Sequence, residues 1–259
     1  MKSDAEMSAR KTATFGWRVY GVGVIALAVV CLVWGGFDPG QPVPKDFPYR
    51  VALAYGASIF MLVAGSAVLW RRTVSMGAAA LSVYYLFVVV ILMNGRAMLA
   101  HPGEYGSYSG AAEQLAIAAA ALILYAVNAR IDAPLAARLI RIGQVAFGVC
   151  ALLFGGAHFV YMNLTAPLVP QWLPPSQEFW AWTTGLAHIA AGLAILTGVQ
   201  SRPAAMLLTI MYASFTPLVH LPMLVADPAS HINWAENALN VALTGAAWVV
   251  ADSLAPGKR

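Results

Sequence analysis

Charge is scarce in this chain. Asp, Glu, Lys and Arg make up 10% of its 259 residues, against 60% hydrophobic. A water-facing surface needs about a quarter charged residues, so a soluble globular domain is a poor account of this composition. Cysteine is nearly missing as well: Cys31 and Cys150 stand far apart and neither belongs to a CxxC pair. Thiol–disulfide chemistry therefore has little support, and both read as buried packing residues. There is no GxGxxG before a helix, no Walker loop, no GxSxG elbow and no basic stripe interleaved with aromatics. Those absences remove the usual footing for dinucleotide, nucleotide-phosphate and acyl-transfer chemistry, and for nucleic acid as a partner.

What the chain has in quantity is apolar run length. Its mean hydropathy is +0.71. A bilayer core of about 30 Å takes roughly 20 helical residues. Eight such runs can be marked, at 17–34, 51–70, 74–93, 111–127, 142–163, 179–199, 203–225 and 234–251. The expectation is an all-α integral membrane protein with eight transmembrane helices in a lipid bilayer. No small-residue cleavage motif follows the first run, which is read as a retained helix.

The net charge of +4 is explained by where the cations fall. Lys2, Arg10, Lys11, Arg18, Arg71, Arg72, Arg130, Arg138, Arg141, Arg202, Lys258 and Arg259 belong to one set of loops, and only Lys45, Arg50 and Arg96 to the other. Cytoplasmic loops are the ones enriched in Lys and Arg, so both termini are expected in the cytoplasm.

The chain also resembles itself. Residues 54–69, AYGASIFMLVAGSAVL, match 181–196, AWTTGLAHIAAGLAIL, at five of sixteen positions, and AEQLAIAAAALI from Ala112 lines up with AENALNVALTGA from Ala235. This reads as a tandem duplication of a four-helix unit. An even number of helices returns the chain to its starting side, so the copies run parallel. The expected division is a cytoplasmic segment 1–16, repeat one at 17–127, a polar cytoplasmic connector at 128–141, repeat two at 142–251 and a tail at 252–259. The outer loops 36–50 and 164–177 each carry four prolines, which suits either a semi-rigid cover or a tight connection. Small residues crowd the second, third, fourth and sixth runs, as close helix crossing in lipid requires.

Ionisable groups inside spans are expensive and mark functional candidates. His158 falls near the outer end of the fifth run, His188 mid-way along the sixth and His220 near the outer end of the seventh. Glu236, Asn240 and Thr244 recur every four residues, as do Tyr212, Thr216 and His220, while Thr184 lies one turn before His188. These stripes are expected to converge on one pocket. Met61 and Met93 occupy the positions matching His188 and His220, and Ile117 matches Asn240, whereas the acid recurs as Glu113 and Glu236, each followed by an amide, Gln114 or Asn237. A first-turn carboxylate also suits a helix dipole, so a capping role competes for both glutamates. Met162 and Met223 with three histidines leave copper or haem iron open, but no HxxxH or HxxE pattern sets two ligands on one face, and no metal site is assigned.

The segments GVCALLFGGAHF, the LPP of the outer loop, TGLAHIAAGLAILTGVQSRPAA, VHLPMLVADP and WAENALNVALTGAAWVVA resemble the DoxX-like family of four-helix membrane proteins. The likeness spans nearly all of the second copy and is fainter in AGSAVLWRRTVSMGAAAL and RAMLAHP of the first. The family is similar to the large membrane subunit of thiosulfate:quinone oxidoreductase. The resemblance implies a bacterial inner-membrane subunit working beside redox enzymes, with no residue roles carried over.

The expected function is binding of a quinone or similar lipophilic molecule in an outer-leaflet pocket of the second copy. His158, His188, Tyr212, Thr216, His220, Glu236, Asn237 and Asn240 are the candidates: imidazoles to hydrogen-bond the ring oxygens, Glu236 with Asn237 and Asn240 to relay protons. Electrons would come from a partner subunit. A non-catalytic assembly anchor and a small-solute carrier are the alternatives from other classes.

Overall fold

In the computed structural model, residues 15–255 are described, and they form helices and connecting turns with no strand among them. Lys2, Arg10, Lys11, Lys258 and Arg259, which weigh in the charge asymmetry, lie outside the described residues. The long helices are α1 (Gly16–Trp34), α2 (Arg50–Val68), α3 (Val74–Ala100), α4 (Tyr105–Asn128), α5 (Ala133–Val160), α6 (Gln177–Thr197), α7 (Ser201–Ala226) and α8 (His231–Ser253). Seven of them, α1 to α7, are long and apolar enough to cross a membrane. Large apolar side chains such as Val63, Phe87, Leu186 and Ile210 face outward, as lipid-facing positions do.

Consecutive helices pack side by side from α1 to α4 and again from α5 to α8. Three further contacts join the two sets: α1 with α8, α4 with α5, and α4 with α8. The α1–α8 crossing depends on small residues, because Gly245 rests on the backbone of Tyr20 and Gly23 on that of Ala242. At the α5–α6 crossing a Cβ on Gly192 would stand 2.8 Å from the carbonyl oxygen of Gly148. Tyr20 adds a buried bond of 3.1 Å to the carbonyl of Ile117, tying α1 to α4.

Several boundaries differ from those expected of hydropathy. Helix α5 begins at Ala133, nine residues before 142, because the Asp132 side chain accepts from the amide of Leu135 at 3.0 Å and Pro134 sits in the first turn. The link between the halves is thus only residues 129–132. Arg138 and Arg141 belong to the helix, and Arg141 bonds the carbonyls of Ile195 (3.1 Å) and Leu196 (2.6 Å) at the end of α6. Ser176 and Ser230 cap α6 and α8, starting α8 at His231.

Two helices unwind by one residue per turn at their far ends. In α3, Tyr84–Asn94 is π-helical and Gly95–Ala100 returns to α. In α7, Thr216–His220 is π-helical and Leu221–Ala226 returns to α. Such π segments leave backbone carbonyls to be satisfied by side chains.

Candidate functional site

The end of the bundle remote from the 129–132 link holds a chamber of about 300 Å³. Its wall comes from five helices and one loop: Ser109 and Glu113 of α4, Phe154 and His158 of α5, Thr184 and His188 of α6, Tyr212 and His220 of α7, Glu236 and Asn240 of α8, with Leu168 and Val169 from the loop after α5. Six of the eight candidate residues therefore line one space: His158, His188, Tyr212, His220, Glu236 and Asn240. Thr216 and Asn237 do not line it.

The imidazoles are held by backbone. Nδ1 of His188, whose side chain is buried, lies 2.8 Å from the carbonyl oxygen of Thr184, one turn earlier on α6. Nδ1 of His158 lies 3.1 Å from the carbonyl oxygen of Ala181 and 3.1 Å from Oγ1 of Thr184. The rings stand 5.1 Å apart. Phe154, Tyr212 and Phe215 surround His188 at ring separations of 6.0, 5.4 and 6.5 Å. Gly155 and Gly185 permit this proximity, since a Cβ on Gly185 would come 2.9 Å from Cβ of His158.

Two polar atoms in this wall lack any partner. The hydroxyl of Tyr212 is buried without a hydrogen bond, and so is Nδ1 of His220. A buried polar group left unsatisfied costs about 1–3 kcal/mol, so such atoms in a chamber wall point to a ligand that completes them.

Asn240 is occupied by the fold. Its amide nitrogen donates to the carbonyl of Tyr212 at 2.9 Å and to Oγ1 of Thr216 at 2.8 Å, pinning the start of the π segment of α7. Glu113 and Glu236 are half-buried in the wall and interact electrostatically with each other. Glu113 came into view in the sequence only as the counterpart of Glu236, and α4 brings it into the same chamber. His101 and His231 lie elsewhere: His101 pairs with Glu104 at 3.4 Å in an exposed turn, and His231 stacks on Trp34 at 5.2 Å. No group of three His, Cys, Asp or Glu among the described residues is placed to hold a metal ion.

A second cleft, of about 370 Å³, adjoins the chamber. Leu168, Val169 and Val219 line both spaces. Beyond them the cleft is walled mainly by Pro167, Pro170, Trp172, Pro217, Leu218 and Met223, so a polar chamber continues into an apolar groove at the rim.

The corresponding end of the first half is filled. The loop after α1 turns at Gly35 (φ 61°) and buries Phe37, Asp38 and Gln41. Asp38 accepts from the amide of Gly40 at 2.8 Å, and Asn94 donates to the carbonyl of Gly40 at 3.0 Å. Burial pushes the Asp38 carboxyl up to about 7; the Gly40 amide works against that rise and the charge of Glu236 adds to it.

Residues 147–251 match a protein family described as a domain of unknown function (DUF8561). That match covers the second half of α5, all of α6 and α7, and α8 as far as Ala251. No curated protein and no solved structure matches the chain.

Proposed function

We propose that this chain is a DoxX-like subunit of a bacterial inner membrane that holds a quinone, or a similar lipophilic ring, in the chamber between α4 and α8. The observation that carries this reading is the pair of unpartnered buried groups, the Tyr212 hydroxyl and His220 Nδ1, in a wall shared with His158 and His188. A ring bearing two oxygens offers both a partner. Small-molecule sites run from roughly 300 to 1,000 Å³, so this chamber suits a single-ring head group. The adjoining groove past Leu168, Val169 and Val219 suits the apolar tail that makes such molecules lipid-soluble.

A bound quinone supplies two-electron, two-proton chemistry, and the electrons are assigned to a partner subunit. The chain's own residues orient the ring and exchange protons at its edge: the imidazoles at the oxygens, and Glu236 with Glu113 behind them.

The same proposal takes α8 as an eighth span and the chain as two parallel four-helix repeats with both termini cytoplasmic. Contacts with α1, α4 and α7 surround α8, which suits a span too polar to face lipid. The π segments of α3 and α7, each followed by a six-residue α-helical end, support the repeat. So does the exchange of partners, α1 on α8 and α5 on α4. A pure anchoring role is less well supported, because Gly23, Gly143, Gly192 and Gly245 are spent on crossings inside the chain.

The test is retention of quinone through gentle purification, read by mass spectrometry of extracted lipids. The expected result is co-purifying quinone in the wild type and its loss in His188→Ala. Equal amounts in both, or none in either, would remove the proposal.

A further inference from the structure

Of the three imidazoles lining the chamber, His158 and His188 are fixed in one tautomer, and that tautomer selects the form of the ligand. A carbonyl oxygen can only accept, so the Nδ1 of His188 that lies 2.8 Å from the carbonyl of Thr184 must carry the ring's proton. The neutral ring then presents Nε2 to the chamber as a bare lone pair. His158 obeys the same rule: its Nδ1 sits 3.1 Å from the carbonyl of Ala181. The Thr184 hydroxyl beside it gives its own hydrogen to the carbonyl of Trp180 at 2.8 Å, which leaves Oγ1 free to accept from that same Nδ1. Neither Nε2 has a hydrogen-bond partner among the described residues. With the rings 5.1 Å apart, the chamber offers two neighbouring acceptors.

A quinone carbonyl is itself an acceptor and has nothing to give them. A hydroxyl does. Resting on the reading above, we infer that the chamber is built for the reduced, dihydroxy form of the ring, a hydroquinone, whose O–H groups donate to Nε2 of His158 and His188. The Tyr212 hydroxyl, buried and unpartnered in the same wall, turns either way and serves the ring's oxygens as donor or acceptor. The chamber's part is recognition alone, and no electron transfer is assigned to the chain.

The experiment is calorimetric titration of the full chain in lipid nanodiscs, without oxygen, using three short-tailed probes: a hydroquinone, its quinone and the hydroquinone dimethyl ether. Each unmatched acceptor forfeits about one hydrogen bond, so the hydroquinone is expected to bind about tenfold tighter than either of the others. Equal or tighter binding of the quinone overturns this inference while leaving the site itself in place. Failure of all three probes to bind sinks the site. His188→Asn keeps a donor toward the Thr184 carbonyl and deletes Nε2, and is expected to shrink the hydroquinone preference about threefold or more; an unchanged preference overturns the assignment. Nitrogen-15 NMR of histidine-labelled wild type gives an independent readout that needs no variant to fold. An unprotonated Nε2 at both rings is expected, and a proton found there defeats the inference.

Discussion

Gln41 lays its side-chain amide against the sulfur of Met61, 3.7 Å away, and Met61 stands at the position that His188 occupies in the matching segment. The Tyr85 hydroxyl reaches the same sulfur at 3.2 Å, and the Tyr84 hydroxyl donates to the side-chain oxygen Oε1 of Gln41 at 3.2 Å. The two halves are packed differently at this end. In the first, the loop after α1 folds inward and its own polar side chains fill the gap. In the second, α5 runs on past the equivalent point, its His158 faces inward, and the gap stays open as a chamber.

The buried loop makes stability sensitive to pH through Asp38. Its carboxyl titrates at about 7 when folded, against an ordinary value of 3.8. Between those values the folded chain holds a proton that the unfolded chain has shed. The contribution is therefore full below about pH 4 and lost as pH rises through 7, by at most about 4 kcal/mol. Asp38→Asn keeps an acceptor for the Gly40 amide and cannot ionise. Thermal unfolding in detergent from pH 4 to 9 is expected to show the variant gaining on the wild type as pH rises. A constant difference would refute this role.

Asn240 is predicted to act on the shape of α7 rather than by touching the ligand. Asn240→Leu leaves the Tyr212 carbonyl and Thr216 hydroxyl without their donor, at a cost of about 1–3 kcal/mol. The midpoint of thermal unfolding should fall, and amide exchange should rise across Thr216–His220. Exchange unchanged there would mean that the π segment holds without the clamp.

Much of this was legible in the sequence. Apolar run length marked the long helices, because lipid imposes that length on any span. The four-residue stripes Tyr212, Thr216, His220 and Glu236, Asn240, Thr244 marked the polar faces of α7 and α8. Other features left weaker traces. The first turns of α5 carry Arg138 and Arg141, so they read as a polar connector, and the helix-start signal of Asp132 followed by Pro134 went unused. The π segments broke the four-residue period in part: Thr216 faces Asn240 and not the chamber. Glu113 joins the wall from the other half of the chain, a contact that spacing within one helix cannot reveal. The inward fold of Asp38 and Gln41 has no local signal, since a proline-rich loop serves equally well as a cover or as a plug.

The α1–α8 crossing should be the least tolerant place in the bundle. Gly245→Leu drives a side chain into the backbone of Tyr20, whereas Gly56→Ala adds a methyl with nothing within 4 Å. Overpacking of this kind costs typically 1–3 kcal/mol. The first variant is expected to lower the unfolding midpoint by several degrees or fail to accumulate, and the second to match the wild type. Equal behaviour of the two would mean that α1 and α8 do not meet this closely.

Tyr212→Phe separates a structural tyrosine from a ligand-facing one by the signs of two measurements. A structural hydroxyl would lose a bond on removal, and stability would drop. Here the hydroxyl is buried with no partner, so deleting it relieves an unmet polar group and should stabilise the ligand-free protein by about 1 kcal/mol. The same deletion removes a contact to the bound ring and should weaken probe binding by about five- to tenfold. Thermal unfolding without probe and calorimetry with it read the two effects on one preparation. A variant that is less stable yet binds as well as the wild type would move Tyr212 out of the site and leave the unpartnered hydroxyl without a purpose.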